Sequence, residues 1–139
     1  MTDNIAVVQE YMELLINRGR FDESRQYVAD ENLLGLATMW HDAFSDLHVT
    51  IDDQFATGNT VTSLVTLSGT HSGVFFGIEP SGRQVRFSGI AVDEVVDGKV
   101  VAARHEVDVL DLFWQLGAEI HRTGRPRAGA AGCQGATQP

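Results

Sequence analysis

SLVTLSGTHSGVFFGIEPSGRQVRFSGI, running from Ser63 to Ile90, is the stretch that decides the fold. Together with Val61 and Thr62, its first part is rich in Val, Leu and Thr, which suit a pleated, half-buried surface. Pro80-Ser81-Gly82 signals a turn, because Pro presets φ and Gly accepts a positive one. After it, Arg83-Gln84-Val85-Arg86-Phe87 alternates polar and apolar residues at the strand period. This reads as a long hairpin. A further strand, Ile90 to Val96, turns at Asp97-Gly98-Lys99 into another, Val100 to Val109. Asp-Gly between two β-type runs is a strong hairpin signal. A curved antiparallel meander with polar groups inside it makes a pocket, not a flat surface.

Upstream, the period lengthens. Asp3 or Asn4 can cap a helix whose apolar face carries Ile5, Val8, Tyr11, Met12 and Leu15. Gly19 suits its C-terminal cap. Phe21 to Val28 reads as a second short helix and Leu33 to Phe44 as a third. Leu47 to Phe55 is the first clear strand, and Gly58-Asn59 turns it into Thr60 to Gly69. Downstream, Leu112, Phe113 and Leu116 mark a short apolar helix ended by Gly117. Residues 1–121 form one domain. Residues 122–139 are an Arg-, Gly- and Ala-rich segment, too poor in apolar surface to fold alone, and read as a flexible tail.

The composition excludes several classes of function. At 139 residues and 43% hydrophobic content, the chain supports one core. A formal charge of −9 argues against nucleic acid and anionic membranes. The single cysteine, Cys133, permits no intramolecular disulfide, as in a reducing compartment. No long apolar run or signal peptide is evident, so the expected location is cytoplasmic. No His, Cys and carboxylate set has metal-ligand spacing, and no Gly-rich loop suits a nucleotide. The expectation is no metal and no cofactor.

The order of short motifs is more telling. Gly69-Thr70-His71-x-Gly73, Phe76-Gly77, Pro80-Ser81-Gly82, Gly89-Ile90, Asp97-Gly98-Lys99-Val100-Val101 and Asp108-x-Leu110 follow one another between Phe44 and Gly117. This arrangement resembles the SnoaL-like polyketide cyclase family of the nuclear transport factor 2-like superfamily. The resemblance implies an α+β fold in which a cone-shaped, curved antiparallel sheet wraps around the N-terminal helices. It also implies a mostly apolar pocket at the open end. Relatives carry a longer stretch, with a short strand, between the second and third helices. Here Tyr27 to Leu33 leaves almost no room for it.

The resemblance also suggests site residues. Asp108 matches the general acid/base of the family's aldol cyclases by its spacing from Asp97-Gly98-Lys99. The period of two places Arg104, Glu106 and Asp108 on one strand face, and the expectation is that this face lines the cavity. The alternative for Asp108 is an exposed residue capping the next helical turn. Arg104 stands where relatives carry Trp. It could bind a carboxylate, polarise a substrate carbonyl, or pair with Glu106 or Asp108. Arg104-x-Glu106 is also similar to the Arg-x-Asp pair of limonene-epoxide-hydrolase-like relatives. His71 could hydrogen-bond a substrate oxygen or shuttle a proton, or be an ordinary satisfied polar residue. His105 falls on the opposite face from Asp108 and is the poorer candidate. His41 and His48 read as solvated. Trp40, Phe75 and Phe87, with Glu106, are the expected substrate-binding residues, although aromatic side chains also serve core or dimer packing.

These readings converge on a cofactor-independent enzyme acting on an aromatic polyketide, by intramolecular aldol ring closure. Asp108 would remove a proton α to a carbonyl, and His71 or Arg104 would stabilise the enolate. A polyketide-tailoring hydroxylase, an epoxide-hydrolase-like enzyme and a non-catalytic small-molecule-binding dimer remain alternatives. A homodimer through the outer face of the sheet is expected, because Val65, Val85, Phe87 and Val107 exceed the needs of one core.

Overall fold

Asp3 caps the first helix, its side chain accepting from the amides of Ile5 at 3.0 Å and Ala6 at 3.3 Å. The computed structural model describes residues 3–119 and residue 121. The expected tail at 122–139, with Cys133, lies outside them. Helix α1 (Asn4–Tyr11) runs directly into a π-helical segment, Met12–Asn17. Gly19 takes φ +62° and lets the chain turn away. α2 (Phe21–Ser24) is shorter than the sequence suggests, because Val28 leaves the helical path to bridge Val100 in parallel. The Val100 amide donates to Tyr27 O at 2.8 Å, and the Ala29 amide to Val100 O at 2.9 Å. Where the resemblance implies a short strand, this chain has a single bridge. α3 (Glu31–Ala43) is capped by Asp30 and leads straight into the sheet.

Four strands follow in simple antiparallel order: β1 (Phe44–Thr57), β2 (Thr60–His71), β3 (Gln84–Val96) and β4 (Lys99–Val107). A last helix, α4 (Val109–Gln115), closes the described domain. The chain therefore has the expected α+β architecture of helices against a curved antiparallel sheet. β3 is one continuous strand, where the sequence suggested two pieces. Ser88 and Gly89 pair with Thr66 and Val65 without a break. Curvature comes from irregularities between Ser45 and His48, Ile51 and Asp53, and Glu94 and Val95. Asp97 and Gly98, at φ +51° and +78°, form the tight β3–β4 turn that Asp-Gly favours.

The inner face of the sheet packs on the helices. Val61, Val65, Leu67, Val85, Phe87, Ala91 and Val95 are buried there with Val7, Val8, Leu15, Leu33, Leu34 and Ala37. This corrects the apolar-surplus argument for a dimer. Val65, Val85 and Phe87 are core residues, and Val107 packs against that core half-buried. The outer face carries a different set, with Ile90 and Val101 exposed and Leu64 and Val92 half-buried.

Three local contacts hold the frame. A Cβ on Gly73 would sit 2.0 Å from Asp42 O, which explains the second glycine of the Gly-Thr-His-x-Gly motif. The Asn17 side chain donates to Val49 O at 3.2 Å and accepts from the Val49 amide at 2.7 Å, pairing with the free edge of β1 as a strand would. Gln115 does the same for β3 beyond the end of β4. It accepts from the Arg86 amide at 2.9 Å and donates to Arg86 O at 2.7 Å. Among the described residues, no helix is long and apolar enough to cross a membrane.

Candidate functional site

The first helix widens where it meets the sheet. A π-helical segment shifts the phase of the side chains, and such segments are frequent at functional sites. Tyr11, Met12 and Ile16 from this region form one wall of a partly open cavity of about 70 Å³. Leu33, Ala37 and Trp40 from α3 form the second wall, spaced to share one helical face. Val49, Leu67, His105 and Val107 close it from the sheet. The walls are apolar apart from the imidazole of His105, the phenol of Tyr11 and the indole of Trp40. That volume holds roughly five water molecules, so a multi-ring ligand has to displace Trp40 or the exposed Leu36 at its margin.

An aromatic cluster backs the cavity. Trp40 stacks on Phe87 with ring centroids 5.5 Å apart, and lies 5.4 Å from Phe75. Phe75 and Phe87 are buried, so of the expected aromatic set Trp40 alone reaches this cavity wall. Phe75 and Phe87 position Trp40 from behind.

The expected placement of Asp108, Arg104 and Glu106 in the cavity requires correction. All three are exposed, and Arg104 and Glu106 share the outer face of β4. The register decides this. Gly89, Ala91 and Asp93 of β3 point at the helices and pair with Val107, His105 and Ala103. Paired residues in an antiparallel ladder lie on the same side, so Ala102, Arg104 and Glu106, beyond the irregularity at Glu94 and Val95, face outward. Asp108 caps α4, accepting from the Asp111 amide at 3.1 Å, which is the alternative that the sequence had left open for it. No salt bridge joins Arg104 to Glu106 or Asp108.

His71 is fully buried at the end of β2, its ring 5.7 Å from that of Phe44, and is not part of this cavity wall. The Ser81 amide donates to Nδ1 at 3.1 Å, and Ser81 Oγ lies 2.9 Å from the same nitrogen. A backbone donor on Nδ1 leaves the ring proton of a neutral imidazole on Nε2, which has no partner. His71 fastens the loop after β2. His41, read as solvated, is half-buried, with Nε2 2.8 Å from Leu15 O.

Three residues emerge that the sequence reading passed over or set aside. His105 is in the cavity wall because it is on the opposite face from Asp108. Burial pushes its pKa down, and the charge of Asp30 opposes this. Asp93 is fully buried on the inner face of β3, and the Tyr11 hydroxyl donates to its Oδ1 at 3.0 Å. Its Oδ2 has no partner. Burial raises the Asp93 carboxyl to about 7, and the Tyr11 hydrogen bond opposes that rise. Burial, then the Asp93 charge, hold the Tyr11 hydroxyl well above its ordinary value, so it stays protonated. A signal for Asp93 existed: it occupies the inward phase of the alternation Ala91, Asp93, Val95, where an apolar residue belongs. Among the described residues, no cluster of three or more His, Cys, Asp or Glu could hold a metal ion.

The same architecture recurs in known proteins. TsrD from Streptomyces laurentii superposes with a TM-score of 0.72 at 28% identity, over 86% of this chain and 100% of that one. AclR from Streptomyces galilaeus, a candidate hydroxylase, gives 0.73 at 24% identity, over 82% and 95% of the two chains. IdmH from Streptomyces antibioticus, a candidate polyketide cyclase, gives 0.74 at 23% identity, over 84% and 100%. No functionally curated protein matches the chain in sequence. Residues 30–116 match the SnoaL-like polyketide cyclase family. With α3, the whole sheet and α4 inside that match, the chain belongs to the SnoaL-like polyketide cyclase family.

Proposed function

We propose that this chain is a cofactor-independent enzyme that closes a ring in a polyketide by intramolecular aldol addition. The observation that carries the reading is a partly open apolar cavity with one half-buried imidazole in its wall, in a chain of this family. Burial favours neutral His105, the form that accepts a proton. His105 takes the proton from a carbon α to a carbonyl. The resulting enolate carbon bonds to a second carbonyl carbon, whose oxygen becomes an alkoxide. The imidazolium returns the proton to that oxygen, so atoms and charge balance. The apolar walls hold both carbons close and exclude water, which replaces much of the entropic barrier. Trp40 offers the face on which a planar ring can stack.

Incubation with a linear poly-β-ketone tests this. A cyclised product is expected, with His105→Gln lowering kcat by roughly 10²–10⁴-fold and turnover surviving EDTA and dialysis. Unchanged turnover in that variant removes His105 from the chemistry. The second reading is a tailoring hydroxylation, favoured by the similarity to AclR, a candidate hydroxylase. Strict dependence on a reductant and oxygen would select it. The protein is further proposed to act in the cytoplasm as a homodimer through Leu64, Ile90, Val92 and Val101 on the outer face. A monomer mass by light scattering at micromolar concentration excludes that dimer.

A further inference from the structure

Tyr11 touches two environments. Its side chain forms part of the cavity wall, and its hydroxyl bonds to Asp93 behind that wall. Asp93 has no visible structural reason to be an acid. It sits among Val61, Ala103 and Val95, with one carboxylate oxygen partnered only by Tyr11 and the other by nothing. A buried polar atom with no partner costs stability, so its retention asks for a role.

We infer that Asp93 is a positioning residue that acts through Tyr11. When neutral, it leaves the Tyr11 hydroxyl free to donate to a carbonyl or enolate oxygen in the cavity; when ionised, it draws that hydroxyl back. A carboxylate can only accept, so it captures the hydroxyl proton. A carboxylic acid donates to the phenol oxygen and releases the phenol hydrogen to point at a ligand. Ionisation breaks the carboxyl O–H bond of Asp93 and releases that proton to solvent; no other covalent bond changes in either residue. A donor held in place beforehand, in an apolar site, is worth most where negative charge develops, as on an enolate oxygen.

The surroundings of Asp93 favour this assignment. α1 presents Tyr11 to it, β2 presents Val61, and β4 presents Ala103. The other titratable group on that part of the inner face is His105, two residues beyond Ala103, with Asp30 acting on His105. None of the residues presented to Asp93 is a Lys or Arg that would hold it ionised. Its carboxyl is therefore poised near neutrality, at about 7.

The inference rests on the cavity being the substrate site proposed above, but its test requires no turnover. The probe is 1-indanone labelled with ¹³C at the carbonyl, a planar ketone that does not titrate. Its carbonyl stretch in the infrared reports hydrogen bonding directly. The bound ketone is expected to show a red-shifted stretch at about pH 6 that is lost by about pH 8. Its affinity should fall by up to about tenfold over that range, following the protonated fraction of a group at about 7. The midpoint should coincide with that of the Asp93 carboxyl carbon followed by NMR in the unmutated protein. Tyr11→Phe should bind the ketone without the shifted band, and Asp93→Asn should remove the pH dependence. A stretch that does not change with pH, a midpoint unrelated to Asp93, or a shifted band persisting in Tyr11→Phe overturns the inference. If 1-indanone does not bind at any pH, the cavity assignment falls with it. Binding without the pH response leaves the assignment standing and removes only the role of Asp93.

Discussion

Replacing Asp93 by Asn should make the protein more stable in alkali and change little in acid. Burial raises the carboxyl from its ordinary 3.8 to about 7 in the folded chain. Below 3.8 both folded and unfolded chains carry the proton, and Asp93 adds no pH dependence. Between 3.8 and 7 the unfolded chain has lost the proton and the folded chain keeps it, so stability falls as pH rises. Above 7 both are ionised and the full cost of burying the charge is present. Each tenfold difference in proton affinity corresponds to 1.36 kcal/mol, so the rise to about 7 corresponds to roughly 4 kcal/mol in total. Roughly 3 kcal/mol of this should be lost between about pH 5 and pH 8. The assay is urea unfolding of both proteins across that range. With a slope of about 2 kcal/mol per molar, the midpoints should move apart by on the order of 1.5 M between about pH 5 and pH 8, reaching a separation of roughly 2 M at the alkaline end. Below about pH 3.8 they should differ by no more than about 1 kcal/mol, because an amide and a neutral acid have similar hydrogen-bonding capacity; by about pH 5, loss of the proton from the unfolded chain should add roughly 1.6 kcal/mol in favour of the variant. Comparing the two proteins cancels groups distant from Asp93, such as exposed histidines. A pH-independent difference between the midpoints would refute the reasoning, and so would a wild-type protein that gains stability from pH 5 to pH 8 relative to the variant.

Gly73→Ala should cost more than about 2 kcal/mol, because the added carbon meets the backbone carbonyl of Asp42 and not a yielding side chain; an unchanged urea midpoint would disprove that close approach. The His105 ring should titrate below its ordinary 6.5 in NMR spectra. Because the unfolded chain takes up that proton first, its burial should cost stability as the pH falls through 6.5, and His105→Phe should flatten this acid limb. Asp108→Ala should lose a helix cap, worth about 1 kcal/mol, while ketone binding in the cavity stays as it was; loss of that binding would return Asp108 to the site.

Elements governed by local rules were legible in the sequence. Asp97-Gly98 gave a tight turn because both positions need positive φ, and Asp3 and Gly19 bracketed the first helix because capping is a property of neighbours in the chain. The alternation along β4 grouped Arg104 with Glu106, since the pleat is local, while Asp108 lies beyond the strand as the cap of α4. What alternation cannot state is which of the two faces turns inward. That sign is set by pairing with β3 and by the side of the sheet on which the helices pack. For this reason the cavity wall carries His105, while Asp108 is exposed. The pairing of Tyr11 with Asp93 spans 82 residues, and neither residue carries a mark of the other. Only the packed fold removes Asp93 from water, and that desolvation gives an ordinary aspartate its altered acidity. Turns, caps and periods belong to the sequence; inward direction, burial and acidity belong to the tertiary structure, because they depend on what the chain excludes from solvent when distant segments meet.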